Sequence, residues 1–142
     1  MNAEARTILL IDDEDRVLRA LARRLKTISP DWEILTATGG NEAMEILAKT
    51  SCDLVVSDLQ MPLMDGGVFL TKVRDTYPKI IRFALSGHAQ QELMLKAISL
   101  AHQYFAKPCD STVLANAIAA ALSSTESMHE ERMKEILVRL NQ

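Results

Sequence analysis

Apolar residues along this chain fall into short dense blocks that alternate with longer stretches of helical spacing. Thr7-Ile8-Leu9-Leu10-Ile11 is a continuous apolar run that stops at two aspartates. Such a run suits a strand buried on both faces, as in a parallel sheet. Val17, Leu18, Leu21, Ala22, Leu25 and Ile28 then recur at helical spacing, with Arg16, Arg19, Arg23 and Lys26 elsewhere on the wheel. Ser29-Pro30-Asp31 ends that helix, and the pattern repeats. Further strands are expected over residues 32–37, 53–57, 80–85 and 102–106. A second helix opens at Gly39-Gly40-Asn41, and a third follows the loop from Gln60 to Gly66 and stops before Tyr77-Pro78. A fourth covers roughly 90–100, and a fifth begins after Lys107-Pro108 with Asp110 or Ser111 as its cap. Five strands alternating with five helices predict an α/β fold, a parallel sheet covered on both faces through right-handed crossovers.

Composition narrows the class without naming a chemistry. The 142 residues are 48% apolar and 25% charged, the balance of one soluble domain. A net charge of −3 gives no general attraction to nucleic acid or anionic lipid, so neither is an expected partner. No apolar run approaches the roughly 20 residues that span a bilayer, and the N-terminus lacks the apolar stretch of a secretory signal. The two cysteines, Cys52 and Cys109, read as reduced thiols near strand ends. A cytoplasmic location follows as an expectation.

The chemistry lies in where polar residues interrupt the pattern. Asp12 and Asp13 follow strand one, Asp58 closes strand three, Ser86 closes strand four and Lys107 closes strand five. In a parallel sheet these ends share one edge. If strand one is central, in the order 2-1-3-4-5, strands one and three flank the switch point where ligands bind. Three carboxylates then meet in a single crevice and repel one another, which a divalent cation relieves. Oxygen ligands with open positions suit Mg²⁺ better than zinc.

These residues resemble the receiver domains of two-component response regulators, from about residue 6 to residue 122. The likeness rests on Asp12-Asp13, on Asp58-Leu59-Gln60-Met61-Pro62-Leu63-Met64-Asp65-Gly66, on Ser86-Gly87-His88 and on Tyr104-Phe105-Ala106-Lys107-Pro108. The resemblance implies the flavodoxin-like order 2-1-3-4-5 and a role for each residue. Asp58 accepts the phosphoryl group from a histidine kinase or phosphotransfer protein. Asp13 binds Mg²⁺ directly and Asp12 largely through water, while Asp58 and the backbone carbonyl of Gln60 complete the protein ligands. Lys107 holds a phosphate oxygen, aimed by a cis Lys107-Pro108 peptide. Ser86 donates its hydroxyl to another oxygen, and Tyr104 turns inward to pass the change to the face of helix four, strand five and helix five. The product is a signalling switch, limited as an enzyme to self-phosphorylation and autodephosphorylation.

Beyond Leu122 the expectation is a polar hinge, Ser123-Ser124-Thr125, and a linker or pairing helix, so that residues 123–142 stand apart from the receiver body. Helix five is nearly free of charge, which makes a second copy of the chain a candidate partner through helix four, strand five, helix five and the C-terminal helix. It lacks the alternating charges by which one large subfamily of DNA-binding regulators pairs. Arg82 through His88, with His102-Gln103-Tyr104 and Lys107 through Asp110, resembles receivers fused to HD-type signalling output domains. A truncated chain and a stand-alone receiver both fit the sequence. Rival readings lack required groups. A hydrolase working through an aspartyl phosphate needs a second aspartate where Gln60 stands, and a flavin protein needs a phosphate loop where Asp12-Asp13-Glu14-Asp15 stands. A pseudo-receiver that only binds partners would not need so complete a site.

Overall fold

The computed structural model describes residues 5–60, 66–87 and 99–124. Five strands, β1 (Thr7–Ile11), β2 (Glu33–Ala37), β3 (Leu54–Asp58), β4 (Ile81–Ser86) and β5 (Gln103–Ala106), form one parallel sheet in the order β2-β1-β3-β4-β5. Four helices are found among the described residues: α1 (Asp15–Ile28), α2 (Gly40–Lys49), α3 (Gly66–Thr76) and α4, residues 111–124. The order is the one expected, and the strand limits differ from the expected ones by a residue at most. The expected helix over 90–100 lies almost wholly outside the described residues, as do residues 61–65 and the segment after 124.

Every residue of β1 and of β3 is buried, because helices cover both faces of the sheet. The side chains alternate accordingly. Leu9, Ile11, Val55 and Ala84 point to the face covered by α2 and α3, where they meet Ala43, Leu47, Phe69 and Val73. Ile8, Leu10, Val56 and Phe83 point to the other, meeting Leu18 and Leu25 of α1 and Leu114, Ile118 and Leu122 of α4. Each buried Leu, Ile, Val or Phe among them contributes about 1.5–3 kcal/mol by leaving water.

Local chemistry sets the helix ends. The Asp110 carboxylate accepts backbone N–H bonds from Thr112 (2.8 Å) and Val113 (3.2 Å), so Asp110 is the cap of α4. At the start of α2 the Glu42 carboxylate reaches back to the Thr38 hydroxyl at 3.1 Å. Helix α4 runs on through Ser123 and Ser124, where a hinge was expected. Serine is only a mildly unfavourable helix residue, so two of them do not end an already packed helix.

Both cysteines are free. Cys52 lies before β3 with its Sγ 3.3 Å from the Leu54 carbonyl, and burial pushes its thiol up to about 11. Cys109 is half-buried, and burial followed by the neighbouring Asp110 raises it too. Iodoacetamide at pH 8 should therefore modify Cys109 before Cys52. Peptide mapping by mass spectrometry reads the order, and early labelling of Cys52 would contradict the packing at β3.

Candidate functional site

The strand ends bring the candidate residues to one edge. Asp12 and Asp13 leave central strand β1, Asp58 ends its neighbour β3, Ser86 ends β4, and Lys107 follows β5. Carboxylate oxygens of Asp12, Asp13 and Asp58 all lie within 4.8 Å of one another. Asp12 and Asp58 are buried, at 4% and 2% exposure, while Asp13 is open to solvent. The Lys107 Nζ sits between the two buried carboxylates, 2.9 Å from Asp58 Oδ2 and 3.0 Å from Asp12 Oδ2. The Lys107-Pro108 peptide is cis, as expected.

Backbone groups hold the carboxylates in place. The Glu14 N–H donates to Asp12 Oδ1 at 2.9 Å, and the Gln60 N–H donates to Asp58 Oδ1 at 3.3 Å. Gln60 therefore lies beside Asp58, where a backbone ligand was expected. The Lys107 N–H donates to the Ser86 carbonyl at 2.8 Å, which fixes the loop after β5 against the end of β4. Ser86 is itself buried. In the register Ala84 stands opposite Tyr104 and Ser86 opposite Ala106, so Ser86 and Tyr104 share one sheet face a single step apart. Tyr104 packs against the α2/α3 core, and burial raises its phenol, opposed by a backbone hydrogen bond at Ala101.

Charge balance follows from this packing. Burial lifts the Asp58 carboxyl above its ordinary value, the hydrogen bond and charge of Lys107 pull it down, and Asp12 pushes it up again. For Lys107 burial works against the charge, yet the hydrogen bonds and charges of Asp58 and Asp12 overcome it and hold the ammonium above its ordinary value. Three carboxylates against one ammonium leave an excess of negative charge. Hard oxygen donors in that arrangement fit a hard divalent cation such as Mg²⁺.

Two features escaped sequence reasoning. A cavity of about 470 Å³ opens beside the carboxylates, between Val17 and Leu21 of α1 and the Lys107-Pro108-Cys109 turn. Its wall comes from segments far apart in sequence, so no local pattern signals it. The other is Arg82, buried on β4 and bonded to main-chain carbonyls. An arginine inside the expected fourth strand was the available signal.

The family model described as the response regulator receiver domain matches residues 8–119, and the chain belongs to that family. It is 32% identical to the hydrogenase transcriptional regulatory protein HoxA of Cupriavidus necator over 76% of this chain and 22% of that protein. It is 30% identical to the transcriptional regulatory protein GlrR of Escherichia coli, over 92% of this chain and 29% of that protein. The chain thus spans less than a third of these curated relatives. Among solved structures, the signal receiver domain of an HD domain-containing protein from Pseudomonas fluorescens superposes with a TM-score of 0.82 at 30% identity, covering 92% of this chain and 96% of that one. The fold is accordingly the flavodoxin-like one expected, and the family is one of two-component signalling. Among the described residues no helix is long and apolar enough to cross a membrane.

Proposed function

We propose that the chain is a phosphorylation switch that takes a phosphoryl group on Asp58 from a histidine kinase or phosphotransfer protein in a cation-dependent reaction. The observation that carries this reading is the convergence of Asp12, Asp13 and Asp58 on one sheet edge, with Lys107 between the two buried carboxylates. An Asp58 oxygen attacks phosphorus, an O–P bond forms, and the bond to the donor imidazole or acyl oxygen breaks with its electron pair leaving on the donor. Asp12, Asp13, Asp58 and the Gln60 carbonyl would hold Mg²⁺. Bound there, Mg²⁺ supplies positive charge against the phosphoryl oxygens. Lys107, already at hydrogen-bond distance from Asp58, turns its ammonium to a phosphoryl oxygen, and the Ser86 hydroxyl donates to another.

The new group adds about −1.5 to −2 units of charge at the edge. Drawing Ser86 toward it frees space on the sheet face that Tyr104 shares, and the Tyr104 ring turns inward. A coupling of about 1–3 kcal/mol changes partner affinity many-fold. In this reading residues 6–122 are the switch and 123–142 link it to an output or to a second copy, in the cytoplasm. The receiver seen in an HD domain-containing protein supports an HD-type output as the attached partner.

Incubation of the chain with acetyl phosphate and Mg²⁺, followed by intact-mass measurement, should add a single phosphoryl group. EDTA should abolish the addition. Labelling that is absent, or indifferent to EDTA, would sink the proposal.

A further inference from the structure

Arg82 is 8% exposed, and among the described residues its side chain bonds to main-chain carbonyls. Its Nε donates to the Leu100 carbonyl at 2.7 Å, and its Nη1 to the carbonyls of Ile80 (3.0 Å) and Pro78 (3.4 Å). One side chain thus ties the turn before β4 to the chain that enters β5. The backbone of Arg82 makes a second tie. Its N–H donates to His102 Nδ1 at 2.9 Å, and the His102 N–H donates back to the Arg82 carbonyl at 2.7 Å. Three of these five bonds hold the entry of the strand that carries Tyr104, ahead of Lys107, and the other two anchor Arg82 to the turn before β4.

One of these bonds depends on protonation. A ring nitrogen that accepts an N–H bond carries no proton itself, so His102 is neutral here. Adding a proton at Nδ1 would set two donors against each other. Among the described residues, the charged groups acting on the pair are Arg82 on β4 and, through Arg82, Arg74 on α3, itself paired with Asp75. Burial first, then the Arg82 charge, hold His102 below its ordinary 6.5, against a backbone hydrogen bond at Arg82 that raises it. A lowered folded value means that the stabilisation from this bond is fully present above that ordinary value and is lost as the pH falls through the lowered folded one.

We infer that Arg82 and His102 form a proton-sensitive clamp that positions β5, and with it Tyr104 and Lys107, for the switch. They act through the strand and touch neither the carboxylates nor the phosphoryl group. The phosphorylation arm of the test rests on the function proposed above, and the clamp itself does not.

His102→Asn separates the clamp from a general packing role, because its amide oxygen can accept the Arg82 N–H and cannot take up a proton in this range. Amide exchange is followed in the full chain by NMR between pH 7.5 and pH 5.5, after correction for intrinsic rates. In the wild type the protection of the His102 and Lys107 amides should fall about tenfold, the equivalent of one lost hydrogen bond, while β1 and β3 stay protected. In His102→Asn it should stay within about twofold, for the same reason. The ratio of acetyl phosphate labelling rates, His102→Asn over wild type, should be near unity at pH 7.5 and rise several-fold at pH 5.5, which cancels the pH dependence of the donor and of Asp58. Arg82→Met should lose the protection of β5 at both pH values, and Arg82→Lys should restore part of it. An equal fall in wild type and His102→Asn, or a parallel loss across β1 and β3, would overturn the clamp. If neither protein is labelled, the phosphoacceptor reading fails and the exchange measurement still decides the clamp.

Discussion

Asp58→Asn should incorporate no phosphoryl group from acetyl phosphate, where the wild-type chain gains one. An amide offers no carboxylate oxygen to attack phosphorus, and among the described residues no other carboxylate combines burial, the Gln60 N–H and contact with Lys107. Asp13→Ala should retain the acceptor and label far more slowly, since it removes one of three clustered carboxylates. The same Asp58→Asn substitution should leave the fold no less stable at pH 7. A carboxyl raised above its ordinary 3.8 binds its proton more tightly when folded. Its stabilising contribution is therefore complete below pH 3.8 and lost as the pH rises, so ionised Asp58 works against folding at neutral pH. Thermal unfolding should show an equal or higher midpoint for Asp58→Asn. A lower midpoint, or persistent labelling at another site, would contradict the assignment.

Lys107→Ala should destabilise the metal-free chain by about 3 kcal/mol, the low end for breaking a buried pair because the lysine side chain is partly exposed. The ammonium is the cation seen between Asp12 and Asp58, and without it two buried carboxylates face each other. Because its folded pKa lies above the ordinary 10.5, this stabilisation is complete below pH 10.5 and is lost only above it. Millimolar Mg²⁺ should recover a good part of the loss, since a divalent cation neutralises the same carboxylates, and wild type should gain less. Denaturant melts of both proteins with and without Mg²⁺ give the comparison. A variant that loses no stability, or that Mg²⁺ leaves unchanged, would show that the carboxylates are not held together by charge.

What could be read in advance was whatever a strand end announces locally. The apolar run before Asp12 and the one before Asp58 predicted two buried parallel strands, and both are buried along their whole length. Asp110 was readable as a cap because side chain and backbone partners lie within three residues. The direct bonds from Lys107 to Asp12 and Asp58 were not readable. They join residues 95 and 49 positions apart, and the expected partner of Lys107 was a phosphate oxygen. Arg82 and His102 stayed hidden for a related reason. Their bonds run to main-chain carbonyls and to each other's backbone, and such partners leave no mark in residue type. Helix α4 continues through Ser123 and Ser124 because serine composition says less about a packed helix than the apolar spacing of Leu114, Ile118 and Leu122.

The position of each strand in the sheet has a mechanical consequence. β1 and β3 have a hydrogen-bonded neighbour on either flank, whereas β5 is a border strand of four residues supported from β4 alone. Displacing an inner strand would disrupt two ladders and both cores at once, an event on the scale of unfolding the domain. Shifting a border ribbon disturbs one ladder, so its opening free energy sits near the low end of the local range. The acidic residues thus belong to the immobile half of the molecule and Tyr104 and Lys107 to the compliant half. A modification worth a few kcal/mol can rearrange the second without endangering the first.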